Sequence, residues 1–365
     1  MIIDADFPSA APGLYGLDYT KMLDGRWAQV GALAFGNDGS TTLVNDPAPG
    51  ITGSVLHFRA DAYGGAGNYV LARKAIPAGA TVKVGQGARF YLPYLPPASD
   101  QIPMLCRWKD GGNNLIAQVT VTTTGALQAY NNGALIGTTA GPVITANGWW
   151  HVEAQLTCDA AAGGSLTVWV EGLQVLNITG LTTNVASTSQ IEMGVDPAAT
   201  SANPPMYVKD WVLWDGTGTV NNTQLGPVIV CDLVENGDVS GGWTSTGANA
   251  WSAINESPPD DAGYIDAVTP PPADQICTLT DLPANIVGVR GLVTVVRAWK
   301  TDGGDGSMTV GITPDAGAHY ANGASHAVST APTYFTDASN VSPATGVAYT
   351  PVEVNASNIR FKRTA

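Results

Sequence analysis

The stretch Trp149–Gly180 reads WWHVEAQLTCDAAAGGSLTVWVEGLQVLNITG, and its pattern decides the fold. Within it, Ser165–Glu171 places Leu166, Val168 and Val170 on one side and Thr167, Trp169 and Glu171 on the other. Successive side chains of a strand point to opposite faces, so this is a strand with one apolar face. Glu171-Gly172 then reads as a tight turn into Leu173–Ile178, making the two strands a hairpin. Trp149–Thr157 is another strand, and its adjacent Trp149 and Trp150 must point to opposite faces. One of the two rings therefore packs outside the main core.

The same pattern extends in both directions. Asn132-Gly133 is a second hairpin signal, between Ala126–Tyr130 and Ala134–Thr138. Further strands are expected at Ser54–Ala60, Tyr69–Ile76, Ala80–Leu92, Met104–Trp108, Leu115–Thr122, Gln190–Val195 and Met206–Trp214. Helical periodicity is nearly absent. Short, regularly spaced strands with Gly, Pro and Asn turns predict an all-β chain of sandwich or jelly-roll type, not a parallel α/β sheet. The polar run Asp215–Asn222 ends this series, and a domain boundary is placed there: residues 1–218 form a jelly roll and 219–365 a second β-sandwich. The second series comprises Val228–Leu233, the surroundings of Trp243 and Trp251, Ile276–Leu279, Ile286–Trp299 and Met308–Ile312. Thr350-Pro351-Val352-Glu353 has the capping-box pattern with proline at the first helical position, so one short helix precedes a last strand, Ile359–Lys362. Leu14–Leu23 reads either as a helical turn or as an irregular lid.

Composition narrows the function. The 365 residues are 44% hydrophobic, which disordered chains are not, and contain 43 glycines and 24 prolines, as a turn-rich folded chain would. Only 13% of residues are charged, which favours an assembled state with much surface covered by partners, a homo-oligomer among them. The net charge is −14, and between Asp110 and Val289 the only Lys or Arg is Lys209. Phosphate backbones and anionic lipid surfaces need clustered cations, so nucleic acid and membranes are not expected partners. Arg360, Lys362 and Arg363 cluster at the C-terminal end, as a solvated strand end or as a docking tail for an acidic neighbour. Cys106, Cys158, Cys231 and Cys277 are far apart in apolar stretches, and are read as reduced, buried thiols suited to a reducing cytoplasm. Met1–Asp6 is acidic with no long apolar core after it, unlike a secretion signal, and no segment reaches the ~18 apolar residues of a membrane span.

A retaining glycosidase needs two carboxyls ~5–5.5 Å apart, which an E-x-D-x-E run on one strand face would supply, and no such run exists. Glu153 and Glu171 stand alone, while Glu192 and Asp196 lie four apart near a strand end. His57 and His151 lie within strand patterns; His319 and His326 complete the set. No G-x-S-x-G elbow, phosphate loop or H-E-x-x-H occurs, and Gly64, Gly65 and Gly67 read as a turn. No cofactor is expected. Calcium is the one metal that Asp302-Gly303-Gly304-Asp305-Gly306 would suit, but a plain turn is the preferred reading there and at Asp260-Asp261. Aromatic residues remain as candidates for recognition, since a sugar face stacks on an exposed ring. Trp169, Trp149, Trp243 and Trp251 are the candidate ligand-facing aromatics; Trp27 also sits near turns.

Trp149–Gly180 resembles the laminin-G-like, concanavalin A-like jelly roll, in which a W-H-x-E strand precedes a hairpin of the form V-x-V-x-G-x-x-V. Tyr207–Val230 is similar to the K-D-x-x-x-x-D-x-x-G-x-x-N-N-x-x-L-G signature of proteins encoded among phage and prophage virion genes. Trp243–Ala267, Asp281–Ser307 and Pro343–Thr364 resemble further blocks of that family, so both domains are covered. The resemblance implies a non-enzymatic structural component of a tailed-phage virion, as a head decoration or fibre or a tail fibre or tip. Other virion proteins and a host-surface glycan are then the partners. It carries over neither a laminin-G calcium site nor a set of sugar contacts. The rival readings are a lectin-like receptor-recognition protein and a depolymerising tailspike enzyme.

Overall fold

A computed structural model describes residues 2–6, 29–32, 39–45, 54–60, 70–76, 82–97, 101–197, 205–217, 219–255, 261–267 and 274–364. The chain forms two compact units, Ile3–Val230 and Cys231–Ala365. Both are almost entirely β, as the alternation pattern predicts. The expected features at Leu14–Leu23, Trp27, the Gly64–Gly67 turn and Asp260 lie outside the described residues.

The first unit is built of two antiparallel sheets. Sheet one runs β13 (Leu173–Leu181), β12 (Gly164–Val170), β11 (Trp149–Thr157), β6 (Lys83–Tyr91), β15 (Met206–Asp215), β4 (Ser54–Ala60), β3 (Gly39–Asn45), with β1 (Ile2–Asp6) also on β15. Sheet two runs β10 (Ala134–Thr138), β9 (Leu127–Asn131), β8 (Leu115–Val121), β7 (Gln101–Lys109), β14 (Gln190–Pro197), β5 (Val70–Ala75), β2 (Gln29–Ala32). Neighbours in chain order are kept by β3–β4, by the β7–β8–β9–β10 run and by the β11–β12–β13 run, which include the two hairpins read from sequence. The remaining pairs are long-range, as in a jelly roll.

Alternation decides what each face carries. Val152, Ala154 and Leu156 of β11 and Ala88 and Phe90 of β6 are buried in one core with Cys106, Trp108, Ala117, Val119, Ile191 and Met193 of sheet two. Gln86 lies on that inward face too, and its amide donates to the Arg107 carbonyl at 3.3 Å, so one polar side chain crosses between the sheets. The turns have the chemistry they need: Asn132 and Gly133 have φ of +48° and +81°, and Glu171 and Gly172 have +49° and +83°. Both residues of a type I′ turn require positive φ, which suits the right-handed twist of the flanking strands.

The chain after β15 departs from expectation. Residues 219–230 belong to the first unit, whereas the sequence reading places the boundary at 218 and a strand at Val228–Leu233. They run instead as an irregular strap along the outer side of β11. The Leu225 and Gly226 amides donate to the two oxygens of Glu153 at 2.8 and 3.1 Å. Gln155 donates to the Asn222 carbonyl, Gln224 to that of Gly172, and the Val230 amide to Asp210. These side-chain bonds satisfy a backbone that has no strand partner.

The second unit is centred on β16 (Glu235–Ser240), β19 (Gln275–Leu279), β25 (Asn358–Arg363), β21 (Ser307–Thr313) and β22 (Ala321–Asn322), with β23 (His326–Ala327) also on β21. Two smaller pairs accompany it: β17 (Thr244–Ser245) with β18 (Ile265–Asp266), and β20 (Leu292–Ala298) with β24 (Thr333–Ser339). Cys277, Met308, Val310, Ile359 and Phe361 form its core. The expected helix is present as α1 (Pro351–Asn355), with both halves of the Thr350–Glu353 capping box made.

Candidate functional site

Each sheet of the first unit has one outer face, and the two differ in what occupies them. On sheet one the middle of the face is taken up. Glu153 is completely buried and is used to hold the strap. His151, two residues earlier on the same face, is also completely buried, and burial with the nearby Arg89 guanidinium pushes its pKa down to about 3. It is a neutral imidazole there, 4.0 Å from Glu153, so the two do not form an ion pair. Trp214 lies flat against Gly85, where a Cβ would come within 2.0 Å of the indole.

Sheet two carries on its outer face a row of polar side chains from five adjacent strands. Arg73 of β5 stands opposite Glu192 of β14, Glu192 opposite Arg107 of β7, Arg107 opposite Gln118 of β8, and Gln118 opposite Tyr130 of β9. Arg73 holds Glu192 Oε1 through Nε and Nη2, both at 2.5 Å. Arg107 Nη1 lies 3.5 Å from Glu192 Oε2, and Lys109 Nζ 3.5 Å from Oε1. Lys109 also donates to Asn113 at 3.0 Å, and burial lowers its pKa against the pull of Glu192. Arg107 donates to the Met104 sulfur, and Tyr130 donates to Gln128 at 2.8 Å. Glu192, Arg107 and Lys109 are buried, whereas Gln118, Gln128 and Tyr130 are half-exposed. The row thus grades from a sheltered cationic end to an open end of amides and phenol. A cation in a sheltered place binds an anion more strongly than one in water, and amides and phenols hydrogen-bond hydroxyls in either direction.

The four candidate aromatics are dispersed. Trp149 lies at one end of sheet one's outer face, its ring 5.6 Å from Tyr91 with Lys209 Nζ 4.1 Å over it. Trp169 is half-buried opposite Glu153 on the same face. Trp243 and Trp251 pack partly buried on the core of the second unit. Glu171 accepts from the His151 amide, and Glu192 belongs to the cationic row; the side chain of Asp196, like that of His57, is outside the described residues. In the Asp302–Gly306 loop the Lys300 ammonium donates to the Gly304 carbonyl, and Asp261 is bound to Arg297 through both oxygens. No group of three His, Cys, Asp or Glu suited to a metal occurs among the described residues. Cys106, Cys158 and Cys277 are buried free thiols and Cys231 is half-buried; burial raises Cys158 to about 11 and Cys277 to about 12. At the C-terminal end Arg360 stacks on Tyr320 and reaches Asp274, while Arg363 donates to the Ala267 carbonyl.

No family model matches the chain, and no curated protein matches it. Among solved structures, an alginate lyase from Chlorella virus is 11% identical over 55% of this chain and 99% of its own, with a TM-score of 0.42. A glucuronan lyase from Trichoderma reesei is 12% identical over 58% of this chain and 95% of its own, TM-score 0.39. A carbohydrate esterase from a Shiga toxin-encoding bacteriophage is 16% identical over 58% of this chain and 97% of its own, TM-score 0.37. At such identity these are likenesses of all-β fold, and one viral and one phage protein are among them.

They nevertheless overturn the expectation of a non-enzymatic structural protein. That expectation rested on the low charge, the absence of a catalytic constellation and of a secretion signal, and the phage-like blocks. The similar structures are instead polysaccharide lyases and a carbohydrate esterase. Arg73, Arg107, Lys109, Gln118 and Tyr130 were all passed over. The local signal for Arg107, Lys109 and Gln118 was present, as polar residues alternating with apolar ones in MLCRWK and LIAQV, but their common row depends on strand order.

Proposed function

We propose that the first unit is a carbohydrate-processing enzyme, which cleaves an acidic polysaccharide by elimination on the outer face of sheet two. The observation that carries this reading is the row Arg73–Glu192–Arg107–Gln118–Tyr130 with Lys109 beside it. A uronate ring lies over Gln118, its carboxylate turned toward the sheltered Arg107 and its hydroxyls met by Gln118 and Gln128. Neutralising the carboxylate acidifies the proton on the adjacent carbon. Lys109, beside Arg107 and lowered in pKa by burial, takes that proton. The electron pair left behind forms a carbon–carbon double bond as the bond to the glycosidic oxygen breaks. Tyr130 protonates the departing oxygen. No carboxylate pair is needed.

The likeness of Tyr207–Ala267 to phage virion-gene proteins supports a place on a phage particle. Other particle proteins, further copies of this chain and a host-surface glycan are then its partners. The test is to incubate the purified chain with a panel of polyuronates and to follow unsaturated uronate ends by ultraviolet absorbance. Wild type should release them from at least one substrate. Arg107→Ala and Lys109→Ala should lower the rate at least a hundredfold, in the range that general acid–base groups contribute. If wild type is inactive on every polyuronate, the reading fails.

A further inference from the structure

Sheet one's outer face has a second feature, beyond the reach of the strap. Tyr207 of β15 stands opposite Tyr91 of β6, and Tyr91 opposite Trp149 of β11. The three rings form a contiguous set: Tyr91 to Trp149 is 5.6 Å between centroids at 48°, and Tyr91 to Tyr207 is 5.9 Å at 78°. Tyr91 is 7% exposed and forms the floor, while Trp149 and Tyr207 are half-exposed at its sides. The rings thus line a shallow trough two strand spacings wide, about 10 Å, the length of a disaccharide.

Its rim is polar. Lys209 Nζ sits 4.1 Å from the Trp149 centroid, and the exposed Asn147 accepts from the Tyr91 hydroxyl at 3.4 Å. The polar row Lys209–Arg89–His151 is its neighbour on the same face. Aromatic rings beside an ammonium and an amide match a sugar, whose C–H face stacks while its hydroxyls hydrogen-bond at the rim. We infer that the Tyr207–Tyr91–Trp149 trough is a saccharide-binding site, separate from the row on sheet two, which holds a polysaccharide chain without cleaving it. A bound chain there would keep the enzyme on its polymer between cleavages and add avidity.

The test is affinity electrophoresis of the full chain in gels containing soluble polyuronates or neutral glucans, with circular dichroism to confirm folding. Wild type should be retarded by at least one polymer. Trp149→Ala and Tyr207→Ala should weaken that retardation about tenfold, the worth of one aromatic stack, whereas Trp149→Phe keeps most of it. Arg107→Ala should remain retarded while losing any elimination activity. Retardation by Trp149 that persists in a chain without lyase activity would uphold this site and sink the proposed reaction alone. Equal retardation of wild type and Trp149→Ala, or none for wild type, would overturn the inference. So would self-association of wild type lost in Trp149→Ala, which would assign the trough to a second copy.

Discussion

At the scale of single residues, two positions on sheet one's outer face show how tightly the sequence is committed. Gly85 has no room for a methyl group, because the Trp214 indole occupies the place of a Cβ. Gly85→Ala should therefore displace a fully buried tryptophan and cost about 2 kcal/mol, read from the urea midpoint at constant slope. His151 is buried in its neutral form. Its folded pKa of about 3 lies below the ordinary 6.5, so the unfolded chain binds the proton first as pH falls. Its contribution is complete above pH 6.5 and is lost as pH drops toward 3, by up to ~1.4 kcal/mol per pH unit. His151→Leu should flatten the fall in melting temperature between pH 6.5 and pH 4; an unchanged slope would mean that other groups set it. Neither role could be read from the chain alone. The alternation around His151 told that it stands on a strand, but not that it is buried on the outward face.

At the scale of elements, local chemistry was legible and distant chemistry was not. Asn132-Gly133, Glu171-Gly172 and Thr350–Glu353 each specify their structure within four residues, and all three form as the sequence reading expects. The strap was misread because its partner, Glu153, lies 72 residues before Leu225. Val228–Leu233 has the apolar content of a strand, but here it continues a segment bound through side chains. Glu153→Ala would leave two amides without their carboxylate and cost about 3 kcal/mol. Hydrogen exchange should then accelerate at Leu225 and Gly226 before it does in β11 or β12. Uniform loss of protection across sheet one would show instead that Glu153 supports the whole sheet.

At the scale of the molecule, strand order creates the candidate site. β5, β14, β7, β8 and β9 are neighbours in sheet two although β5 and β14 are separated by more than a hundred residues. Periodicity could place Arg73, Arg107, Gln118 and Glu192 on outward positions of their own strands, but it could not tell that those positions form a single row. The same limit explains the aromatic trough, whose Trp149 was singled out while Tyr91 and Tyr207 were not. All-β class, hairpins and the buried face of β12 needed only nearest neighbours along the chain. The polar row needed the sheet, because its cations alternate with core residues on separate strands.

The most direct test of the proposed elimination compares product formation by wild type, Arg107→Ala and Tyr130→Phe on the same polyuronate, with mass spectrometry of the ends. New chain ends carrying a double bond, abundant with wild type and depleted at least a hundredfold in both variants, are the result the row predicts. Saturated ends alone would mean hydrolysis and contradict elimination. Wild-type rates retained in Arg107→Ala would contradict the placement of the site on sheet two.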